Sequence, residues 1–186
     1  EVDGAMSRHK EKSSPAAPAG QASRLQGIYL MRGAGLHMQR AKVRAGRLSP
    51  AQLRALADIA SRYAPDYPIH LTTRHNIELH GVRFEDIRRL QKKITAAGLS
   101  CTGACGNSLR TITVCPGAGI CNGSRDVAPA ADSVQQALEA LPFIQDLPRK
   151  FKISFSGCRK ACGLPWVNDL GFVLQPDGTY VLVGAG

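Results

Sequence analysis

Two rhythms of apolar residues alternate along the first hundred positions, one of period two and one of period three to four. "GIYLMR" at 27–32 and "HMQRAKVR" at 37–44 are short strand-like runs separated by "GAG", which predicts a hairpin. In "LSPAQLRALADIASRYAPD", Ser49 is placed to cap a helix and Pro50 to open it. Leu53, Leu56, Ala60 and Tyr63 recur at helical spacing, and Pro65 stops the run. "IHLTTRHNIELHGV" has Ile69 and Leu71, then Ile77 and Leu79, on either side of the polar "TTRHN". This reads as strand, polar kink, strand. "FEDIRRLQKKITAAG" puts Ile87, Leu90 and Ile94 on one stripe and Gly98 at the C-cap position. The order β-β-α-β-β-α predicts a sheet with its helices on one face.

A second α+β unit begins near residue 99. "NSLRTITVC" reads as a strand, a glycine loop follows, and "ADSVQQALEALPFI" reads as a helix with Val134, Ala137, Leu138 and Leu141 on one side. In "RKFKISFSGC", Phe151, Ile153 and Phe155 alternate with Lys150, Lys152 and Ser154. One face is expected to pack while the other presents two ammonium groups. "LGFVLQPDGTYVLVGAG" is a hairpin turning on Pro-Asp-Gly. The fold class is α+β, with a tail over 1–26, a first domain over 27–98 and a second over 99–186.

Composition narrows the function classes. At 186 residues the chain buries a core without needing disulfide staples. The first 26 residues are polar and rich in Ala, Pro and Ser, the signature of disorder, and residues 1–5 resemble an expression remnant. No run reaches the length of a membrane span and no signal peptide is visible, so a cytoplasmic, non-membrane protein is expected. The formal charge of +10 predicts an anionic partner. Arg32, Arg40, Lys42, Arg44 and Arg47 crowd one segment, but aromatic residues suited to stacking bases are scarce. A small anion or anionic cofactor is favoured over nucleic acid.

Six cysteines in a reducing compartment argue for metal or redox chemistry. Cys115 and Cys121 form C-x5-C in "RTITVCPGAGIC", and Cys158 and Cys162 form C-x3-C after the Lys150–Phe155 run. C-x5-C is wide for a zinc ribbon, and four thiolates suit a cubane cluster. Pro116, Gly117 and Gly119 would let a loop fold around a bulky group. Spacing leaves iron–sulfur, zinc and unliganded thiols open.

Several segments together resemble the sirohaem-containing sulfite and nitrite reductases over roughly 27–186. "GRLSPAQLRALADIASRY" with "LTTRHNIELHGV" is similar to that family's ferredoxin-like half-domain. "ACGNSLRTITVCPGAGIC" with "LPRKFKISFSGCRKAC" is similar to its cluster and sirohaem region. The resemblance implies that Cys115, Cys121, Cys158 and Cys162 ligate a 4Fe-4S cluster, and that Cys162 bridges to the sirohaem iron. It implies that Arg74, Arg110, Lys150 and Lys152 surround the substrate anion, with Arg74 and Arg110 also toward the sirohaem. Arg40, Lys42 and Arg44 are candidates for the sirohaem carboxylates, with Arg47 beside them, although a solvated face fits these four equally well.

The implied reaction is the six-electron reduction of sulfite to sulfide or nitrite to ammonia, with a ferredoxin or flavodoxin donor. The chain resembles small single-repeat members, in which a lone unit, a homo-oligomer or a partner subunit completes the enclosure. It stops at "VLVGAG", where relatives run on through a glycine-rich segment, which points to truncation or to a subunit of a complex. Alternatives are an electron-transfer or sirohaem-binding subunit without turnover, and a precorrin-oxidising cobalamin-biosynthesis enzyme. Cys101 and Cys105 form a further C-x3-C outside the four-cysteine pattern and are expected to pack as small apolar thiols. Among His37, His70, His75 and His80 no pair has metal-ligand spacing, and His75, beside Arg74, is the one of interest.

Overall fold

The computed structural model describes residues 20–33 and 35–184. The disordered tail expected over 1–26 lies outside this range up to residue 19. Its last part is ordered, as the short helix α1, Gln21–Leu25. Strands β1 (Ile28–Leu30), β2 (His37–Lys42), β3 (His70–Leu71) and β4 (Asn76–Val82) form one antiparallel sheet in the order β1-β2-β4-β3. Helices α2 (Pro50–Tyr63) and α3 (Ile87–Ala96) follow β2 and β4. The expected β-β-α-β-β-α order is present.

Helix α2 begins where its first residues can be satisfied. The Ser49 hydroxyl accepts from the Gln52 N–H, the Gln52 side-chain Oε1 accepts from the Ser49 N–H, and Pro50 needs no partner there. Its buried stripe is Leu56, Ile59, Ala60 and Tyr63, whereas Leu53 is exposed. The helix is thus rotated from the expected face, because Ile59 completes a stripe that is better centred on the sheet. Ile87, Leu90 and Ile94 of α3 are buried as expected. Leu71 of the short edge strand is exposed, while Ile69 packs on the core.

The alternation of β2 and β4 decides how the halves meet. Ala41, Val43, Ile77 and Leu79 face the two helices in one core. Arg40, Lys42, Asn76 and Glu78 therefore lie on the opposite face, in register as Arg40↔Glu78 and Lys42↔Asn76. That polar face meets the second unit.

The second unit holds strands β5 (Thr113–Val114), β6 (Ile153–Ser156), β7 (Leu170–Leu174) and β8 (Tyr180–Gly184), in the order β5-β6-β7-β8. The pairs β5/β6 and β6/β7 are parallel and β7/β8 is the expected hairpin. Every residue of β6 is buried, so Ser154 does not face solvent as its alternation implied. A parallel strand covered on both faces has no solvent side. Helix α4, Ala128–Glu139, starts and ends earlier than the pattern implied. Leu141 lies beyond it and is exposed, and the buried face includes Ala128, Ala131 and Gln135.

Ion pairs join the halves. Lys42, buried in the interface, pairs with Glu139 of α4, and Arg44 pairs with Asp132 and Glu139. Arg47 pairs with Asp126. Gln135 completes the buried group, accepting from the Ile112 N–H at 2.7 Å and donating to Glu139 Oε1 at 2.7 Å. Burial lowers the pKa of Lys42, and Glu139 opposes that shift. Replacing Glu139 with Ala leaves an uncompensated buried ammonium, and the expected loss is about 3–5 kcal/mol in a chemical denaturation experiment. A loss below about 1 kcal/mol would show that this pair does not hold the halves together.

Candidate functional site

Two loops carrying cysteines leave the same edge of the second sheet. Cys115 directly follows β5 and Cys158 follows β6 by two residues, so both emerge at the carboxyl ends of adjacent parallel strands. The crevice outside such ends is where open α/β sheets place their ligands. The Cys115 N–H donates to the Phe155 carbonyl at 2.9 Å, which fixes the start of the first loop. That loop turns back through bonds from the Ala118 N–H to the Cys115 carbonyl and from the Cys121 N–H to the Gly117 carbonyl.

Glycine is required where the thiols converge. A Cβ on Gly117 would stand 2.5 Å from Cys121 Sγ and 3.9 Å from Cys115 Sγ. Gly119, at φ +75°, uses the left-handed backbone that glycine enters freely. In the second loop Ala161 and Leu164 adopt positive φ without being glycine. Strained residues of this kind persist where the surrounding structure fixes them.

Cys115 is buried, Cys158 half-buried, and Cys121 and Cys162 exposed. Burial raises the Cys115 pKa most; a hydrogen bond from the Gly117 backbone opposes it, and the nearby Cys162 and Cys158 sulfurs raise it further. The structure thus brings together the four cysteines of the two expected pairs. Four soft thiol donors on two converging loops, with the Gly117 backbone close against the sulfurs, fit an iron–sulfur cluster.

Cys101 and Cys105 are both buried, and Cys101 belongs to the core of the first unit. Burial and the adjacent Cys105 push the Cys101 thiol up to about 12. Cys105 is also raised by burial, against the pull of Arg40, Arg110 and Tyr29. They are packed thiols outside the four-cysteine group.

The cations form a second centre on the polar face of the first sheet. Arg40, Arg74, Arg110, Lys150 and Lys152 line one cavity of about 250 Å³ together with Thr72, Thr73, Asn76, Glu78 and Ala104. Arg74 is gripped from the second unit: Nη1 donates to Asn168 Oδ1 at 2.9 Å and Nη2 to the Thr111 carbonyl at 3.3 Å. Its Nε is buried with no hydrogen-bond partner among the described residues. Burial and the neighbouring Arg110 bring its pKa down to about 10, with Asp169 opposing. The cavity is therefore under-compensated in charge and suited to an anion.

Lys42 and Arg44 are not in this cavity. Both line a separate cleft with Arg47 and are held by the α4 carboxylates, so their placement does not favour the expected role toward sirohaem carboxylates. Arg40 does line the anion cavity, paired with Glu78 through Nε at 2.8 Å. His75, at φ +59°, turns its ring to Gly46 instead of joining the cavity lining.

Asn168 connects the two centres and was not singled out from the sequence. Buried at 3 % exposure, it accepts from Arg74 and donates through Nδ2 to the Leu164 carbonyl at 2.8 Å. Leu164 is two residues beyond Cys162, so one side chain ties the cluster loop to the cavity. Beside it, Asp169 accepts from the Lys152 N–H at 2.7 Å. An Asn-Asp pair inside "PWVND" carries no spacing signal; only the fold gives it meaning.

Comparison with known proteins finds matches to both units. The family described as the nitrite/sulfite reductase ferredoxin-like half domain matches residues 29–97. The family described as the nitrite and sulphite reductase 4Fe-4S domain matches residues 105–186. The assimilatory ferredoxin-dependent nitrite reductase of Haloferax mediterranei is 35% identical over 70% of this chain and 24% of its own length. The ferredoxin–nitrite reductase of Leptolyngbya laminosa is 35% identical over 81% of this chain and 31% of its own. The match thus spans 24% and 31% of these relatives' lengths. Among solved structures, the NirA protein of Mycobacterium tuberculosis superimposes with a TM-score of 0.74 at 26% identity, over 88% of this chain and 34% of that one.

Thiol accessibility separates the two classes of cysteine. In cluster-free protein at neutral pH, alkylation followed by peptide mass spectrometry is expected to label Cys121 and Cys162 readily and to leave Cys101 and Cys105 unmodified until unfolding. Fast labelling of Cys101 would contradict its place in the core.

Proposed function

Given that the chain belongs to the nitrite and sulfite reductase family, we propose that it forms the reducing centre of a sirohaem and 4Fe-4S enzyme that converts sulfite to sulfide or nitrite to ammonia. The observation that carries this reading is the convergence of Arg40, Arg74, Arg110, Lys150 and Lys152 on one cavity, tied through Asn168 to the loop holding Cys158 and Cys162. Cys115, Cys121, Cys158 and Cys162 are the residues that would hold the cluster, with Cys162 also toward the sirohaem. When bound, the two groups supply electrons singly to the anion.

The remaining chemistry belongs to the chain. Sulfite and nitrite both present negatively charged oxygens on one central atom, and guanidinium groups fixed at Arg74 and Arg110 offer them charge-assisted hydrogen bonds. Each bond cleavage consumes protons, which the Lys150 and Lys152 ammonium groups carry at Nζ beside the cavity. Lys152 is steadied for this role: its backbone N–H is held by Asp169, and its Nζ donates to the Val167 carbonyl at 3.4 Å. Because these partners are already ordered, little reorganisation is needed when an anion arrives. The net charge of +10 suits an acidic donor such as ferredoxin, which the names of the nitrite-reducing relatives also favour.

Anaerobic purification with assay of iron, acid-labile sulfide and extractable tetrapyrrole tests the cofactor set. Sirohaem absorption with a cubane cluster is expected, whereas a colourless zinc protein would overturn the reading. In the loaded protein, Lys152→Ala is expected to keep the visible spectrum, and Arg74→Ala is compared at equal cofactor content. Each should weaken nitrite or sulfite binding about ten- to hundred-fold, the value of a hydrogen bond to a charged group. Unchanged anion affinity in both variants would remove these residues from the site.

A further inference from the structure

Linear spacing offers no metal-binding pair among the histidines, yet the β3/β4 ribbon assembles one. His70 and Glu78 are direct cross-strand partners, and His80 lies two residues beyond Glu78 on the same face. One ligand atom from each of His70, Glu78 and His80 lies within 4.8 Å of the other two. Glu78 Oε2 is 3.1 Å from His80 Nε2, and the His70 and His80 ring centroids are 4.3 Å apart. We propose that His70, Glu78 and His80 form a divalent transition-metal site of the zinc type, separate from the cluster thiols.

The donor set and its geometry both favour such an ion. Two imidazoles and one carboxylate are the three-ligand set of open zinc sites, in which a water takes the fourth position. Ligands bonded at about 2.1 Å around a tetrahedral ion stand about 3.4 Å from each other, so the three atoms need close by little more than 1 Å to coordinate. The carboxylate is also oriented for the task. Arg40 holds Oε1 through Nε at 2.8 Å and leaves Oε2 turned toward the histidines. A hydrogen-bonded ligating carboxylate is the usual outer-shell arrangement. His70 is exposed and Glu78 and His80 are half-buried, which provides an entry path from solvent. Because Glu78 and Arg40 both line the anion cavity, an ion here would fix one wall of it.

The test is anaerobic dialysis of the cluster-loaded chain against Zn²⁺, with zinc measured by mass spectrometry and its ligands by X-ray absorption at the zinc edge. About one retained zinc per chain with nitrogen and oxygen ligands only is expected. His70→Ala, at an exposed position that leaves folding intact, and His80→Ala should each abolish retention. Arg40→Ala should weaken it about 10- to 100-fold, the usual effect of losing an outer-shell partner. No retained zinc, zinc bound through sulfur, or unchanged retention in His70→Ala would each overturn the site.

Discussion

Cations buried between the two sheets govern this structure. Lys42, on the polar face of the first sheet, and Arg74, in the turn between β3 and β4, lose much of their water there. A buried charge without partners is too costly to persist, so the second unit must bring polar atoms to meet them. It brings Glu139 to Lys42, and Asn168 and the Thr111 carbonyl to Arg74. The Thr111 hydroxyl donates to Asn76 Oδ1 at 2.8 Å, closing the same seam. Lys42 faces a carboxylate, which it shares with Arg44, and serves cohesion. Arg74 receives only neutral partners among its direct hydrogen bonds, with Arg110 nearby, and keeps a charge deficit that an anion can fill. The same solvation cost thus produces a structural contact at one position and a binding site at another.

The second unit places its thiols by a different rule. Parallel strands all end at one side, so the loops after β5 and β6 deliver Cys115 and Cys158 to a common crevice without long-range design of either loop. Gly117 and the left-handed Ala161 and Leu164 then shape the loops around the space between the sulfurs. The segment after Cys162 returns toward Arg74 and is anchored by Asn168. The buried Asn168 amide thus links this segment to Arg74, and the Lys152 Nζ bond to the Val167 carbonyl adds a second tie.

Much of the first unit was legible because its signals are local. The Ser49 capping box, the glycine at 98 in its φ +75° conformation, and the Ile87, Leu90, Ile94 stripe each need only neighbours in sequence. The alternation of β4 also separated Ile77 and Leu79 from the residues that meet the second unit. Leu53 misled because a helical period admits more than one stripe, and only the position of the sheet selects Ile59 over it. Ser154 misled because parallel strands bury both faces. Cysteine spacing identified the two pairs, and the family resemblance assigned them to one centre. What sequence could not carry was contact between elements: Gln135 meeting the Ile112 N–H, Asn168 reaching Arg74, and His70 standing opposite Glu78. Lys42 and Arg44 resembled ligand-binding cations because charge sign is visible in sequence, whereas the carboxylates of α4 that engage them are 88 to 97 residues away.

The central claim is that one cavity, built by both units, receives the substrate anion. A crystal structure of the cofactor-loaded protein with sulfite or nitrite tests it most directly. The account predicts the anion within hydrogen-bonding distance of the Arg74 and Arg110 guanidinium groups, with Lys150 and Lys152 beside it. An anion bound elsewhere, with Arg74 still engaged only by Asn168 and Thr111, would contradict it and reduce those cations to a structural seam.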